Sequence, residues 1–181
     1  MTRKCIEVLT AEHKTMLRIT DVLDSMSKQA RDHGEYDTAD VEAIVDILRR
    51  FGDGLHQAKE EGALFPIFTT VCDASQYAAV RHMLFEHEQD RALMSGMQDS
   101  IARSNAPQFA EYALRLAAIL RNHIFKEDNI LFETINSRLS AEDDARVIAE
   151  FESFDQEFAP QKAELLDQLR RLEWRYLRKI A

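Results

Sequence analysis

His56-Gln57-Ala58-Lys59-Glu60-Glu61-Gly62-Ala63-Leu64-Phe65 aligns without a gap to His123-Ile124-Phe125-Lys126-Glu127-Asp128-Asn129-Ile130-Leu131-Phe132, so H-x-x-K-E-[ED]-x-x-L-F stands twice in one chain. The segments in front of the two copies match more weakly, through Glu12-His13 and Glu86-His87. The chain thus reads as two helical hairpins, each contributing one histidine and then H-x-x-x-E. Residues i and i+4 of an α-helix lie about 40° apart around the axis and roughly 6 Å along it, so His56 with Glu60, and His123 with Glu127, project to the same side.

The flanking sequence supplies the helices. Ile6, Leu9, His13, Met16, Leu17, Thr20, Leu23 and Met26 fall on one stripe of a first helix. After a break around Ala30–Asp37, Asp37 or Thr38 can cap a second, with Val41, Ile44, Val45, Leu48, Gly52, Leu55 and His56 inward. A third starts after Asp73 or Ser75 and lines up Val80, Met83, Leu84, His87, Arg91, Met94 and Ile101; a fourth starts near Pro107, after Ser104 or Asn105, with Phe109, Tyr112, Leu116, Leu120, His123 and Glu127 inward. Each of the four helices offers one inward histidine. Ser140 and Asp143 form a capping-box pattern for a further helix to about Phe158, which Pro160 is expected to interrupt. The tail, with Leu165, Leu166, Leu169, Leu172, Trp174, Leu177 and Ile180, is apolar enough to need a neighbour, either the bundle or a second copy in a homodimer. The expected fold is an all-α, antiparallel up-down four-helix bundle over residues 1–158 with a C-terminal helical extension over 159–181.

Composition agrees. Five Gly and three Pro among 181 residues, 45% hydrophobic and 30% charged, describe long helices with few turns. A net charge of −9 opposes binding to nucleic acid. No apolar run reaches the ~20 residues that span a membrane, and no apolar leader region opens the chain, so a soluble cytoplasmic protein is expected. Cys5 and Cys72 have neither C-x-x-C spacing nor a disulfide framework and are expected to be reduced thiols.

Four inward histidines and two inward glutamates in an apolar interior would be left without partners unless they hold a metal. Imidazole with carboxylate suits iron or manganese, with zinc possible and calcium or magnesium disfavoured. Two carboxylates shared between two metals would offset much of the cationic charge. Glu61 and Asp128, at i+5, lie about 140° from their histidines on a regular helix and are expected outside the ligand set unless a π-bulge turns one inward. Glu12 and Glu86 are expected to face solvent or to support a ligand from behind. Lys59 and Lys126 are expected as charge partners on the helix surface, and His33 and His82 as surface histidines.

The order H, H-x-x-x-E, H, H-x-x-x-E resembles the hemerythrin-like HHE cation-binding family. Phe51-Gly52-Asp53-Gly54-Leu55-His56 through Pro66, and Glu86-His87-Glu88-Gln89-Asp90-Arg91, are similar to its bacterial members. The resemblance covers about residues 5–158. It implies that His13, His56, Glu60, His87, His123 and Glu127 ligate a di-iron centre, oxo- or hydroxo-bridged, with Glu60 and Glu127 bridging. Oxygen-carrying members have a second histidine four residues after the third-helix histidine, where Arg91 stands here, and end in H-x-x-x-x-D, whereas His123 here has Glu127 at i+4 as well as Asp128 at i+5. With four histidines each metal keeps room for an exogenous ligand, and Arg91 can either face a bound anion or pair with an acid. Members that repair iron–sulfur clusters carry a cysteine-containing N-terminal domain absent from this sequence, which disfavours that role. Ferritin-like proteins use Glu-x-x-His, which occurs nowhere here.

Three functions are compatible with these residues: a di-iron protein that binds or senses O2, nitric oxide or peroxide; a di-iron oxidoreductase that turns such a species over; and an interaction bundle in which metal only stabilises the fold. The first is preferred, because no additional acid or base can be assigned to catalysis.

Overall fold

The computed structural model describes residues 2–178, and every regular element among them is helical. Helix α1 spans Lys4–His33 and ends on Gly34, whose left-handed φ of 74° closes the last turn with an N–H bond to Ala30. A second helix is built from four consecutive pieces: α2 (Thr38–Ile47), π-helical turns over Leu48–Gln57 and Glu60–Leu64, and α3 (Phe65–Thr69). Helix α4 (Ala74–Ala102) is followed by α5 (Ala106–Lys126), a π-helical turn Glu127–Leu131 and α6 (Phe132–Arg138), and α7 (Ala141–Leu177) closes the chain.

The starts are set by side chains that satisfy the otherwise unpaired first-turn N–H groups. Asp37 accepts from Asp40 N, Asp73 and Gln76 form a capping box, Asn105 accepts from Gln108 N with Pro107 in the first turn, and Ser140 and Asp143 form a second capping box.

Helix α1 packs on α5 and α7, and α4 packs on α5 and α2. Along the α1–α5 contact the pairing is reversed: Thr10 and His13 meet Asp128, just beyond α5, whereas Asp24 meets Arg121 and Ser27 meets Ala110. Two apolar clusters fill the interior. One contains Met16, Leu23, Leu48, Met94, Leu116 and Leu120; the other contains Cys5, Leu9, Leu64, Phe65, Leu131, Phe132 and Phe151. Leu9 and Met16 fall in different clusters with His13 between them, so the histidine level sits between two apolar layers.

Two expectations from the sequence fail here. Pro160 does not interrupt the last helix, which runs unbroken past residue 158. Pro160 and Gln156, whose carbonyl loses its N–H partner, are both exposed, so water can serve that carbonyl, while Phe151, Phe158, Leu165, Leu169 and Leu172 anchor the helix on its other face. The tail packs on the bundle, against α1 and α2, through Leu165, Leu169 and Leu172, while Trp174 and Leu177 are exposed. Leu17, placed on the inward stripe, is 37% exposed, because the interior is served by Met16, Ile19 and Thr20. Ile180 lies outside the described residues. No helix among those described is long and apolar enough to cross a membrane.

Candidate metal centre

His13, His56, His87 and His123 come from four separate helical segments and are at most 2% exposed; Glu60 and Glu127 are fully buried. The six fall into two groups, His13 with His56, Glu60 and Glu127, and His87 with His123, Glu60 and Glu127. Within each group one ligand-type atom per residue lies within 4.8 Å of all the others, and both glutamates belong to both groups. Each carboxylate is set between histidines of opposite hairpins: Glu127 Oε2 is 3.2 Å from both His13 Nε2 and His123 Nε2, and Glu60 lies 3.7 Å from His56 Nε2 and 3.4 Å from His87 Nε2.

The imidazoles are aimed by their other nitrogen. His56 Nδ1 meets Glu12 at 3.0 Å, His123 Nδ1 meets Glu86 at 2.9 Å, His13 Nδ1 meets Asp128 at 2.8 Å, and His87 Nδ1 meets Glu61 at 2.7 Å. An ionised carboxylate can only accept, so each Nδ1 carries the proton and donates, and each Nε2 is turned inward. The pattern is reciprocal: Glu12 and Glu86 hold the histidine of their own hairpin, and Glu61 and Asp128 hold the one across the bundle.

Every consensus letter of the repeat now has a physical task. The histidine and the first acid face the centre. The lysine grips the acid that supports that histidine: Lys59 Nζ donates to Glu12 at 2.6 Å, and Lys126 donates to Glu86. The second acid holds the opposite hairpin's histidine, and the leucine is buried. The phenylalanine walls the opposite hairpin's ring, Phe132 stacking on His13 at 5.4 Å and Phe65 on His87 at 6.3 Å. Both copies also share a backbone feature, since the N–H of Phe65 bonds to the carbonyl of Glu60 and that of Phe132 to the carbonyl of Glu127, an i→i+5 closure. The widened turn lets i+4 point to the centre while i+5 reaches a neighbouring helix.

Electrostatics follow from this crowding. Burial pushes the His13 imidazole down, but Asp128, Glu127 and Glu60 outweigh it and lift the group to about 9. Burial likewise opposes, and Glu60 and Glu61 overcome it, at His87, also about 9. His123 is raised well above the ordinary range against burial, chiefly by Glu127, while Glu127 is held well below its range against burial by His123 and His13. Glu86 is lowered to about 2 by His123 and Lys126, again against burial.

A cation fits this donor set. The Nε2 atoms of His13 and His56 and all four oxygens of Glu60 and Glu127 are buried without a hydrogen-bond partner, and the Nε2 atoms of His87 and His123 face each other at 3.2 Å. With Nδ1 protonated, two neutral imidazoles would present two lone pairs to one another; something positive must lie between them, either a proton or a metal.

One sequence expectation is corrected here and one open alternative is decided. Lys59 is not on the surface but fully buried, because α7 covers it with Asp155 at 2.7 Å and the Phe151 ring at 5.3 Å. Lys126 is 30% exposed. Arg91 takes the acid-pairing alternative, bonding Asp53 at 2.7 Å, Glu88 at 2.9 Å and Glu61 at 2.6 Å, and so braces the acid that holds His87. His82 is exposed as expected and touches Glu86 at 3.1 Å; His33 is exposed at the last position of α1. Sequence reasoning missed Asp90, 1% exposed beside Gln57, whose pattern in Glu88-Gln89-Asp90-Arg91 is that of a solvated turn.

Fold and site together define a helical bundle with an interior histidine–carboxylate site for cations. The sequence model of the hemerythrin HHE cation binding domain matches residues 5–135, and the chain belongs to that family. Neither the comparison with curated proteins nor that with solved structures yields a match.

Proposed function

We propose that this protein is a non-haem di-iron protein that binds or senses O2, nitric oxide or peroxide, with His13, His56, Glu60, His87, His123 and Glu127 as ligands and both glutamates bridging. The observation that carries the reading is the convergence of four oriented imidazoles on two wholly buried carboxylates, where the Nε2 atoms of His13 and His56 and all four carboxylate oxygens have no hydrogen-bond partner and the Nε2 atoms of His87 and His123 face each other. Two carboxylates common to both groups favour two ions over one, because a carboxylate can be shared between neighbouring ions and two of them offset much of the added charge. A pair of iron ions held there would supply one-electron redox chemistry toward those small molecules.

The residues around the centre do the rest. Glu12, Glu61, Glu86 and Asp128 fix the rings and keep the proton on Nδ1, and Phe65 and Phe132 exclude water from two of the rings. The same reading takes the histidine-bearing helices as an up-down antiparallel four-helix bundle, supported by the reversed α1–α5 pairing, and places the protein in the cytoplasm, in keeping with two free cysteines. Anaerobic loading with ferrous iron followed by addition of oxygen, peroxide or nitric oxide is expected to produce new near-ultraviolet charge-transfer bands. A zinc-loaded or metal-free control should stay silent, and an iron-loaded protein that also stays silent with all three would refute the reading.

A further inference from the structure

One turn below the four histidines the bundle is hollow. Met16, Gly52, Asp90 and Leu120 each stand three or four residues from the histidine of their own helical segment, and all four line a cavity of about 10 Å³, room for roughly one water molecule. Two polar side chains share that wall, Asp90 at 1% and Gln57 at 3% exposure. Gln57 Nε2 donates to Asp90 Oδ2 at 3.2 Å, and this contact leaves Asp90 Oδ1 and Gln57 Oε1 buried with no partner. Asp53, one third exposed and bonded to Arg91, also lines the cavity and connects its rim to the surface.

The chemistry of the two orphaned oxygens restricts what can fill the space. Gln57 Oε1 can only accept, so the occupant must donate a proton to it. Burial, aided by Glu86 and opposed by His123, His87 and Gln57, brings the Asp90 carboxyl up to about 7, so Oδ1 can either accept or donate near neutrality. Walls of Met16, Leu120 and their neighbours disfavour an ion. O2 and nitric oxide carry no proton and cannot satisfy Gln57. We propose that Asp90 and Gln57 form a second binding site, distinct from the metal centre, for one buried water molecule.

The test uses the full chain, supplied with redox-inert zinc. Nuclear Overhauser contacts between water and the Leu120 and Met94 methyl groups are expected in the wild type, lost in Asp90→Leu and Gln57→Leu, and kept in the His56→Ala/His123→Ala variant, which separates this site from the metal reading. Absence of those contacts in the wild type, or their survival in both leucine variants, overturns the site. Either leucine variant suffices if the other does not fold.

Discussion

Glu12, Glu61, Glu86 and Asp128 do one job from four places: each takes the Nδ1 proton of a histidine whose Nε2 faces the interior. Removing such a support typically lowers metal affinity by about 10–100-fold. Asp128→Ala is therefore expected to weaken metal binding by that order in chelator competition while leaving the far-ultraviolet spectrum unchanged; unchanged affinity would show that His13 needs no outer partner. A second consequence concerns the metal-free chain. His13 and His87 stand at about 9 in the folded protein against an ordinary 6.5, so their stabilising contribution is complete below about 6.5 and is lost as pH rises through about 9. The urea midpoint of metal-free protein is expected to fall across that window, and that of metal-loaded protein, in which the ion takes the place of the second proton, to fall less. At this scale the six inward residues were readable from i,i+4 spacing and helical stripes. The four supporting acids were not assignable, because each reaches its histidine from another segment of the chain, and Lys59 misled because the residues that bury it, Phe151 and Asp155, are almost a hundred positions away.

At the scale of elements, the π-helical turns Glu60–Leu64 and Glu127–Leu131 allow adjacent acids to serve opposite hairpins. The sequence showed that such a turn was needed if i+5 was to join the site, but nothing in Glu-Glu-Gly or Glu-Asp-Asn forces one. Helix starts were far more legible, since Asp37, Asp73, Asn105 and Ser140 cap by local geometry that a few residues determine. The continuity of α7 through Pro160 was hidden for the opposite reason, because long-range packing outweighs a local preference. The α4–α5 contact supplies a sharp test. A Cβ on Gly96 would sit 2.8 Å from the Tyr112 ring, so Gly96→Ala, which in an open helix stabilises, is expected here to destabilise by about 1–3 kcal/mol in urea unfolding. A neutral or stabilising result would mean that Tyr112 swings aside freely.

Across the whole molecule the two hairpins are nearly equivalent at the centre and different at the periphery. Helix α7 lies over α1 and α2 and buries Lys59, whereas Lys126 remains beside His82 at the surface. The duplication visible in the sequence thus carries the interior site, and the third unit of the chain breaks its symmetry without entering it. Apolar layers on both sides keep the carboxylates in a medium where an unpaired charge is unfavourable, which is why a cation between them is the simplest account of their burial. The most direct test is the metal content of protein prepared without air, for the wild type and for the His56→Ala/His123→Ala variant. Two irons per wild-type chain and loss of two-metal loading in the variant are expected; two metals retained in the variant would contradict the assignment.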